Sequence, residues 1–332
     1  MQEVSIVVVC AAATDLTRHC LTVCDQLYPR SPIILVTEEP LPPGPWPPSL
    51  QVLSADTHNL SRKRNLGVEA AHTPFIAFLD DDATPLPGWL EAAYAALGTE
   101  TTIGLVGGPN LSPRGQPPGR TSVGNACKSF LVAGPYGYRK RRATARDCDY
   151  LPACNVVFRR STYLMVGGMD EAYPDIGDDL ALCRRMRDQG LRIRYLPEVA
   201  VEHADRPLLG FALQRLIRGS LLVPGNPRVV LKNNASLLAS AGFVCMLLCG
   251  PFLLFNPLTR LFFWGLTGIH GLVCFFEAAR HSGRLTDFPG TLAAIYFGNL
   301  CPGVGLLLGK VGLLTDRSRW YRRSRAGLDS PQ

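Results

Sequence analysis

The chain has 332 residues, 47% hydrophobic and 18% charged, with net charge +7 and mean hydropathy +0.10. That length suits one large domain or two smaller ones with a real core, and excludes a minimal disulfide-stapled scaffold. The apolar excess collects after residue 232 and the basic excess in Arg139 to Arg146 and Lys310 to Arg325, which points to an anionic membrane surface before nucleic acid.

Eleven cysteines are present, but Cys10, Cys245, Cys249 and Cys274 sit in apolar runs, where a free thiol behaves as a small hydrophobe. No Cys-x-x-Cys or Cys/His zinc spacing occurs, so a structural metal site is not expected. Reduced thiols in a cytosol-facing domain fit best. Met1 to Ile6 lacks the pattern of a secretory signal.

Val4 to Cys10 is β-branched and predicts a first central strand. Thr14 or Asp15 is placed to cap a helix through Leu27, which Pro29 and Pro32 close. A strand over Pro32 to Thr37 ends at Glu38-Glu39, and proline-rich Pro40 to Pro48 is loop. Val52-Leu53 is a short strand, Leu60 to Ala71 a helix, and Phe75 to Leu79 a buried strand. Gly88 to Leu97 is helical, and Ile103 to Val106 is a strand before Gly107-Gly108. Such alternation predicts a parallel sheet with helices on both faces. Cys10-Ala11-Ala12-Ala13 stands where a Gly-x-Gly-x-x-Gly turn would follow the first strand, which disfavours dinucleotide binding.

The strand Phe75 to Leu79 runs into Asp80-Asp81-Asp82, then Pro85 and Pro87. Ligands of open α/β sheets bind at the carboxyl ends of strands, and crowded carboxylates repel one another unless a cation sits among them. Mg²⁺ is typically held by one or two carboxylates plus substrate phosphates, so the stretch reads as a metal site for a phosphorylated substrate. The plainer alternative is an acidic turn with Asp82 capping the helix near Pro87.

Residues 111–150 carry Pro113, Pro117, Pro118 and Pro135 and are expected to be an irregular loop, suited to be a lid. Its cluster Tyr138-Arg139-Lys140-Arg141-Arg142 meets a phosphate or lipid head groups, or is a solvated charge run. Order is expected again from Leu151 to Arg160. A helix then follows Gly177, with Leu180, Cys183 and Met186 on one face. Asp178 and Asp179 stand in its first turn, where carboxylates are favoured by exposed N–H groups, either as functional acids or as ordinary capping residues. Short strands over Ile193 to Leu196 and Val199 to Val201 precede His203.

Taken together, these stretches resemble the family 2 inverting glycosyltransferases, over roughly residues 4 to 220. The shared motifs are Arg64-Asn65-x-Gly67, Leu79-Asp80-Asp81-Asp82-x-x-Pro85, Asn155-x-x-Phe158-Arg159, Gly167-Gly168-x-Asp170-Glu171, Asp178-Asp179-Leu180-x-Leu182-Cys183-x-Arg185, and His203. The resemblance implies a GT-A fold, Rossmann-like, with a mostly parallel sheet flanked by helices. It implies that Asp80 and Asp82 hold a divalent cation, Mg²⁺ or Mn²⁺, against a nucleotide-sugar diphosphate, with Asp82 the direct ligand and Asp80 near the ribose or the metal. Of Asp178 and Asp179, the second is expected to be the catalytic base. Arg64 and Asn65 line the nucleotide pocket in this reading. His203 is either a third metal ligand or a structural residue at a strand end. The Asp-Asp-Gly-Ser usual after the second strand is here Thr37-Glu38-Glu39-Pro40, and a Pro-x-Tyr-Asn-like turn is replaced by Ala11-Ala12-Ala13. Glu38 is thus expected at the donor, with the nucleotide left open. Gln214 to Arg218 only faintly echoes the Gln-x-x-Arg-Trp of processive members, which disfavours a processive synthase.

The expected organisation is a GT-A domain over 1–222 and a helical membrane region over 223–332, with helices near 235–255 and 258–276. A third apolar segment at 288–309 either spans or is re-entrant, breaking at Cys301-Pro302-Gly303; the basic tail fills 310–332. The function expected is metal-dependent inverting transfer of a sugar from a nucleotide-sugar donor to an acceptor presented at the cell membrane, a lipid-linked saccharide or a cell-envelope polysaccharide precursor. The catalytic domain would be cytoplasmic, and the partners would be the bilayer and no nucleic acid. A membrane assembly or transport component with an inactive transferase-like domain is the alternative, and a nucleotidyltransferase a third.

Overall fold

The computed structural model describes residues 3–172, 177–220 and 227–314, with side chains of 227–234 left aside. Two compact units emerge: residues 1–113 with 138–204, and residues 114–137 with 205–332. Arg317, Arg319, Arg322, Arg323 and Arg325 of the expected basic tail lie outside the described residues.

In chain order the elements are β1 (Val4–Val9), α1 (Asp15–Leu27), β2 (Ile33–Thr37), β3 (Leu50–Ser54), α2 (Leu60–Ala70), β4 (Phe75–Asp80), β5 (Ala83–Pro85), α3 (Trp89–Thr99), β6 (Ile103–Gly107) and β7 (Asn110–Leu111). Then come α4 (Pro118–Ala126), α5 (Phe130–Ala133), β8 (Arg146–Cys148), β9 (Asn155–Arg159), α6 (Arg160–Met165), α7 (Asp178–Asp188), β10 (Arg192–Tyr195) and β11 (Val201–His203). The chain finishes with α8 (Leu208–Gly219), α9 (Pro227–Leu248), α10 (Gly250–Leu253), α11 (Pro257–His281) and α12 (Phe288–Lys310).

The first unit is built on an eight-stranded sheet of order β3-β2-β1-β4-β9-β6-β10-β8. Its first half is parallel, as the apolar runs predict. Every residue of β1 is buried, as expected of a central strand covered on both faces. The strand β9, however, runs antiparallel between β4 and β6, and β8 runs antiparallel to β10. The sheet is therefore mixed. No local pattern announces this reversal, because an apolar strand such as Asn-Val-Val-Phe-Arg has no direction of its own until its neighbours fix it.

Helix α1 begins where Thr14 and Thr17 close a capping box, a hydroxyl standing in for the usual Glu or Gln. Its buried Thr17, Cys20, Leu21 and Cys24 repeat at the spacing of one helical face. Helix α2 presses on β1 so closely that a Cβ at Gly67 would lie 2.3 Å from Val7 Cγ1. That contact accounts for the glycine in Arg64-Asn65-x-Gly67. Helix α3 starts at Gly88, whose φ of +87° leaves no side-chain cap, so Asp82 does not cap it.

Residues 111–150 are more ordered than their prolines suggest, holding β7's last residue, α4, α5, a 3-10 turn and β8. Pro118 sits in the first turn of α4, where a missing N–H costs nothing. In the second unit, Val123, Ala126 and Val132 from this segment pack with Phe211 of α8, Cys274 and Ala278 of α11, and Ala294 and Ile295 of α12.

Among the described residues, two helices are long and apolar enough to cross a membrane, Pro257–His281 and the stretch Leu285–Lys310. The first apolar helix ends earlier than expected, with α9 finishing at Leu248, because the chain turns through Gly250-Pro251 and Asn256-Pro257. The expected break at Cys301-Pro302-Gly303 does not occur; α12 is continuous through Pro302. The Ser240 hydroxyl of α9 resolves the local problem. It donates to the Asn299 carbonyl and accepts from the Gly303 N–H at 2.9 Å, bridging the ladder at the turn where proline disturbs it. Close contact with α8 also fixes the glycines, since a Cβ at Gly305 would lie 1.9 Å from the Leu216 carbonyl oxygen.

Candidate active site

All the groups that follow belong to the first unit. Asp80 is the last residue of β4, so the buried strand delivers its carboxylate to the sheet's edge. The chain turns through Asp81 and Asp82 into β5, which pairs antiparallel with β11 so that His203 lies opposite Ala83. That register brings a histidine from 121 positions further on beside Asp82, with the Ala204 N–H donating to the Asp82 carbonyl at 3.4 Å. His203 Nε2 stands 3.6 Å from Asp80 Oδ2 and 3.5 Å from Asp82 Oδ1. Burial alone would lower the His203 imidazole. The Asp82 charge and bonds to Asp80 and Cys154 more than reverse this, holding it well above its ordinary value. The three predicted metal residues are thus brought together.

Strand β9 adds a fourth group. Its register sets Asn155 opposite Leu79, so Cys154 abuts Asp80, and the Asp80 N–H donates to the Cys154 carbonyl at 3.3 Å. One ligand atom each from Asp80, Cys154 and His203 lies within 4.8 Å of the others. Cys154 escapes a search for Cys/His spacing because its partners are remote in sequence; its only sequence signal is its place just ahead of Asn155-x-x-Phe158-Arg159.

Arg64, reaching from α2, ties the acids to α7. Its Nη1 donates to Asp178 Oδ2 at 2.6 Å and its Nη2 to Asp80 Oδ1 at 3.3 Å. Burial alone would lower the guanidinium's pKa, but Asp178, then Asp80 and Asp179, hold it above its usual value. Asp178 is buried against this cation. Asp179, half-buried in the first turn of α7, accepts from the Leu180 N–H at 2.8 Å. One guanidinium therefore sets Asp178 and its neighbour at the Asp80 edge. Arg139, from the basic cluster, stacks on Tyr150 at 4.8 Å.

Glu38 lies at the end of β2, where it accepts from the buried Lys63 Nζ at 2.5 Å and is paired with His58. Lys63 also donates to the Cys10 carbonyl at 2.7 Å, so it pins the ends of β1 and β2 together. Lys63 is a residue that sequence reading misses, since lysine in a helix reads as solvated. Asn65 also does structural work that the sequence does not announce. Its Oδ1 accepts from Tyr163 Oη at 2.6 Å and the Met169 N–H at 3.0 Å. Its Nδ2 donates to the Met169 carbonyl and Glu171 Oε1, both at 3.0 Å. Those four bonds make it a clamp between α2 and the 163–171 turn.

A mixed sheet flanked by helices, with acids from β4 and α7 gathered at one edge, defines a GT-A-like domain. More narrowly, the chain belongs to the family described as "Glycosyltransferase like family 2", which residues 49–221 match. Two curated relatives from Mycobacterium tuberculosis, strains CDC 1551 / Oshkosh and ATCC 25618 / H37Rv, are each named "Pre-mycofactocin glycosyltransferase" and are 35% identical over 156 residues. The match covers 44% of this chain and only 30% of theirs. Among solved structures, GalNAc-T7 with UDP, GalNAc and Mn²⁺ aligns over 60% of this chain and 43% of its own, at 13% identity and a TM-score of 0.47. The mannosyltransferase PcManGT from Pyrobaculum calidifontis, in complex with GDP-Man and Mn²⁺, aligns over 79% and 83%, at 17% identity and a TM-score of 0.47.

Proposed function

We propose that this protein transfers a sugar, with inversion, from a nucleotide-sugar donor to an acceptor presented at a membrane, using a divalent cation. The observation that carries the proposal is the convergence of Asp80, Asp82 and His203 at one strand edge. Asp82 Oδ1 is buried there without a hydrogen bond, facing His203 Nε2 at 3.5 Å, and a bound cation would give that buried oxygen the close partner it lacks. The donor set of carboxylates and imidazole fits such an ion. A cation bound there supplies Lewis-acid stabilisation of the charge on a departing diphosphate.

The protein's own groups divide the remaining work. Asp179, half-buried in the first turn of α7 next to the Arg64–Asp178 ion pair, is the carboxylate to take the proton from the acceptor hydroxyl. Positioned proton transfer of this kind contributes about 10²–10⁴ in rate. Glu38, oriented by Lys63 and His58, accepts a hydrogen bond from the nucleoside.

The membrane reading rests on α11, whose Leu261, Phe262, Trp264, Ile269, Leu272 and Phe276 are exposed. A core helix would bury them, whereas a bilayer covers them. Residues 114–137 leave and rejoin the sheet unit and are too short to cross a bilayer twice, which takes about 40 residues. Their Ser129 and Ser122 hydroxyls donate to Glu277 Oε2 and the Asp287 carbonyl. The catalytic domain is proposed to face the cytosol, where nucleotide sugars are made. An acceptor at the membrane, a lipid-linked saccharide or envelope-polysaccharide precursor, follows from that anchoring.

The test is transfer or slow hydrolysis of a panel of nucleotide sugars by the full chain with Mn²⁺. Release of a nucleoside diphosphate that Asp82→Asn and Asp179→Asn abolish is expected. Release of pyrophosphate instead would make the protein a nucleotidyltransferase, and no turnover with any donor would favour an inactive scaffold.

A further inference from the structure

We infer that the Cys154 thiol is itself a ligand of the cation at this site, and that it biases the site toward thiophilic ions over Mg²⁺. The inference rests on the metal site proposed above and adds to it a residue that the acids and histidine do not require.

Three observations support it. Cys154 Sγ, Asp80 and His203 each present one ligand atom within a 4.8 Å cluster; Asp80 and His203 are fixed by strand pairing, and Cys154, in the turn just ahead of β9, by its carbonyl's bond from the Asp80 N–H at 3.3 Å. Asn110, itself buried, donates from Nδ2 to Cys154 Sγ at 3.1 Å. A hydrogen bond to the sulfur from outside the cluster is the kind of support that orients a metal ligand and stabilises its anionic form. Finally, Asn110 belongs to β7, which pairs with β11, the strand that ends in His203, so one small sheet carries both the imidazole and the donor that steadies the sulfur. Buried Cys20 also lies nearby, but its thiol is directed at the Asp80 main-chain carbonyl at 3.7 Å rather than into the ligand cluster.

Carboxylate oxygen suits Mg²⁺ and Mn²⁺, whereas thiolate sulfur selects softer ions such as Zn²⁺ and Co²⁺. The thiol hydrogen leaves to solvent as the sulfur–metal bond forms. Such a site binds Co²⁺ and Zn²⁺ well above Mg²⁺.

Cobalt titration of the full chain tests this, because Co²⁺ reports its ligands optically. The visible d–d bands of a bound ion are expected together with a near-ultraviolet sulfur-to-cobalt charge-transfer band. Cys154→Ser should keep the visible bands, lose the near-ultraviolet band and bind Co²⁺ at least about tenfold more weakly, with a much smaller effect on Mg²⁺ affinity. Cys20→Ala should keep both bands. X-ray absorption on the unsubstituted Co²⁺ protein, which needs no variant to fold, should find a sulfur scatterer at about 2.3 Å. Visible bands that Asp80→Asn removes, without a charge-transfer band or sulfur scatterer, would overturn the role of Cys154 and leave the metal site standing. Loss of the band in Cys20→Ala rather than Cys154→Ser would overturn it as well. Absence of any bound Co²⁺ would end both readings.

Discussion

Arg64 shows how a single side chain can serve fold and chemistry together. Its two arms hold Asp80 and Asp178, so removing it strands a buried carboxylate. Breaking one side of a buried ion pair costs about 3–5 kcal/mol, and Arg64→Ala should lower the melting temperature accordingly. Arg64→Lys should rescue little, since an ammonium lacks the fork that reaches both acids. The adjacent acids should separate in the same assay. Asp178→Asn leaves Arg64 without its nearest charge and should destabilise the fold. Asp179→Asn, at a half-buried position, should cost less in melting than Asp178→Asn and reduce transfer by about 10²–10⁴. Equal melting losses in both variants would contradict the division of roles between them.

Local signals specified the elements more fully than their pairings. Thr14, the β-branched run of β1 and the glycine of Arg64-Asn65-x-Gly67 all mark features found where they were expected. The reversal of β9, the β5–β11 pair and the helices within 111–150 did not announce themselves, because register between distant strands is settled by tertiary contact. The same reason hid Cys154, Lys63 and the clamping bonds of Asn65, since each draws its meaning from a partner far along the chain. Asn65→Ala should therefore behave as a loss of structure. It removes the acceptor of the Tyr163 hydroxyl and one of the two acceptors of the Met169 N–H, and an unmade buried hydrogen bond costs about 1–3 kcal/mol. Thermal melting would register that loss; a variant with unchanged melting and weakened nucleotide binding would return Asn65 to the donor pocket.

At the scale of the whole molecule, exposed apolar side chains on α11 and the hydroxyl bridge at Pro302 both suit a bilayer. Phase partitioning should place the chain in the detergent phase, and replacing Leu261, Phe262, Ile269 and Phe276 by serine should shift it toward water. An unsubstituted chain that stays in the aqueous phase would contradict membrane anchoring. The acids at the sheet edge make the central claim, a cation-dependent diphosphate site. Thermal melting of the full chain against a panel of nucleoside diphosphates, with and without Mn²⁺, tests it most directly, because a ligand bound to the native state alone raises the transition by mass action. At least one nucleoside diphosphate is predicted to stabilise the chain only when Mn²⁺ is present, and to lose that effect in Asp82→Asn. Stabilisation that is the same without the cation, or that survives Asp82→Asn undiminished, would contradict it.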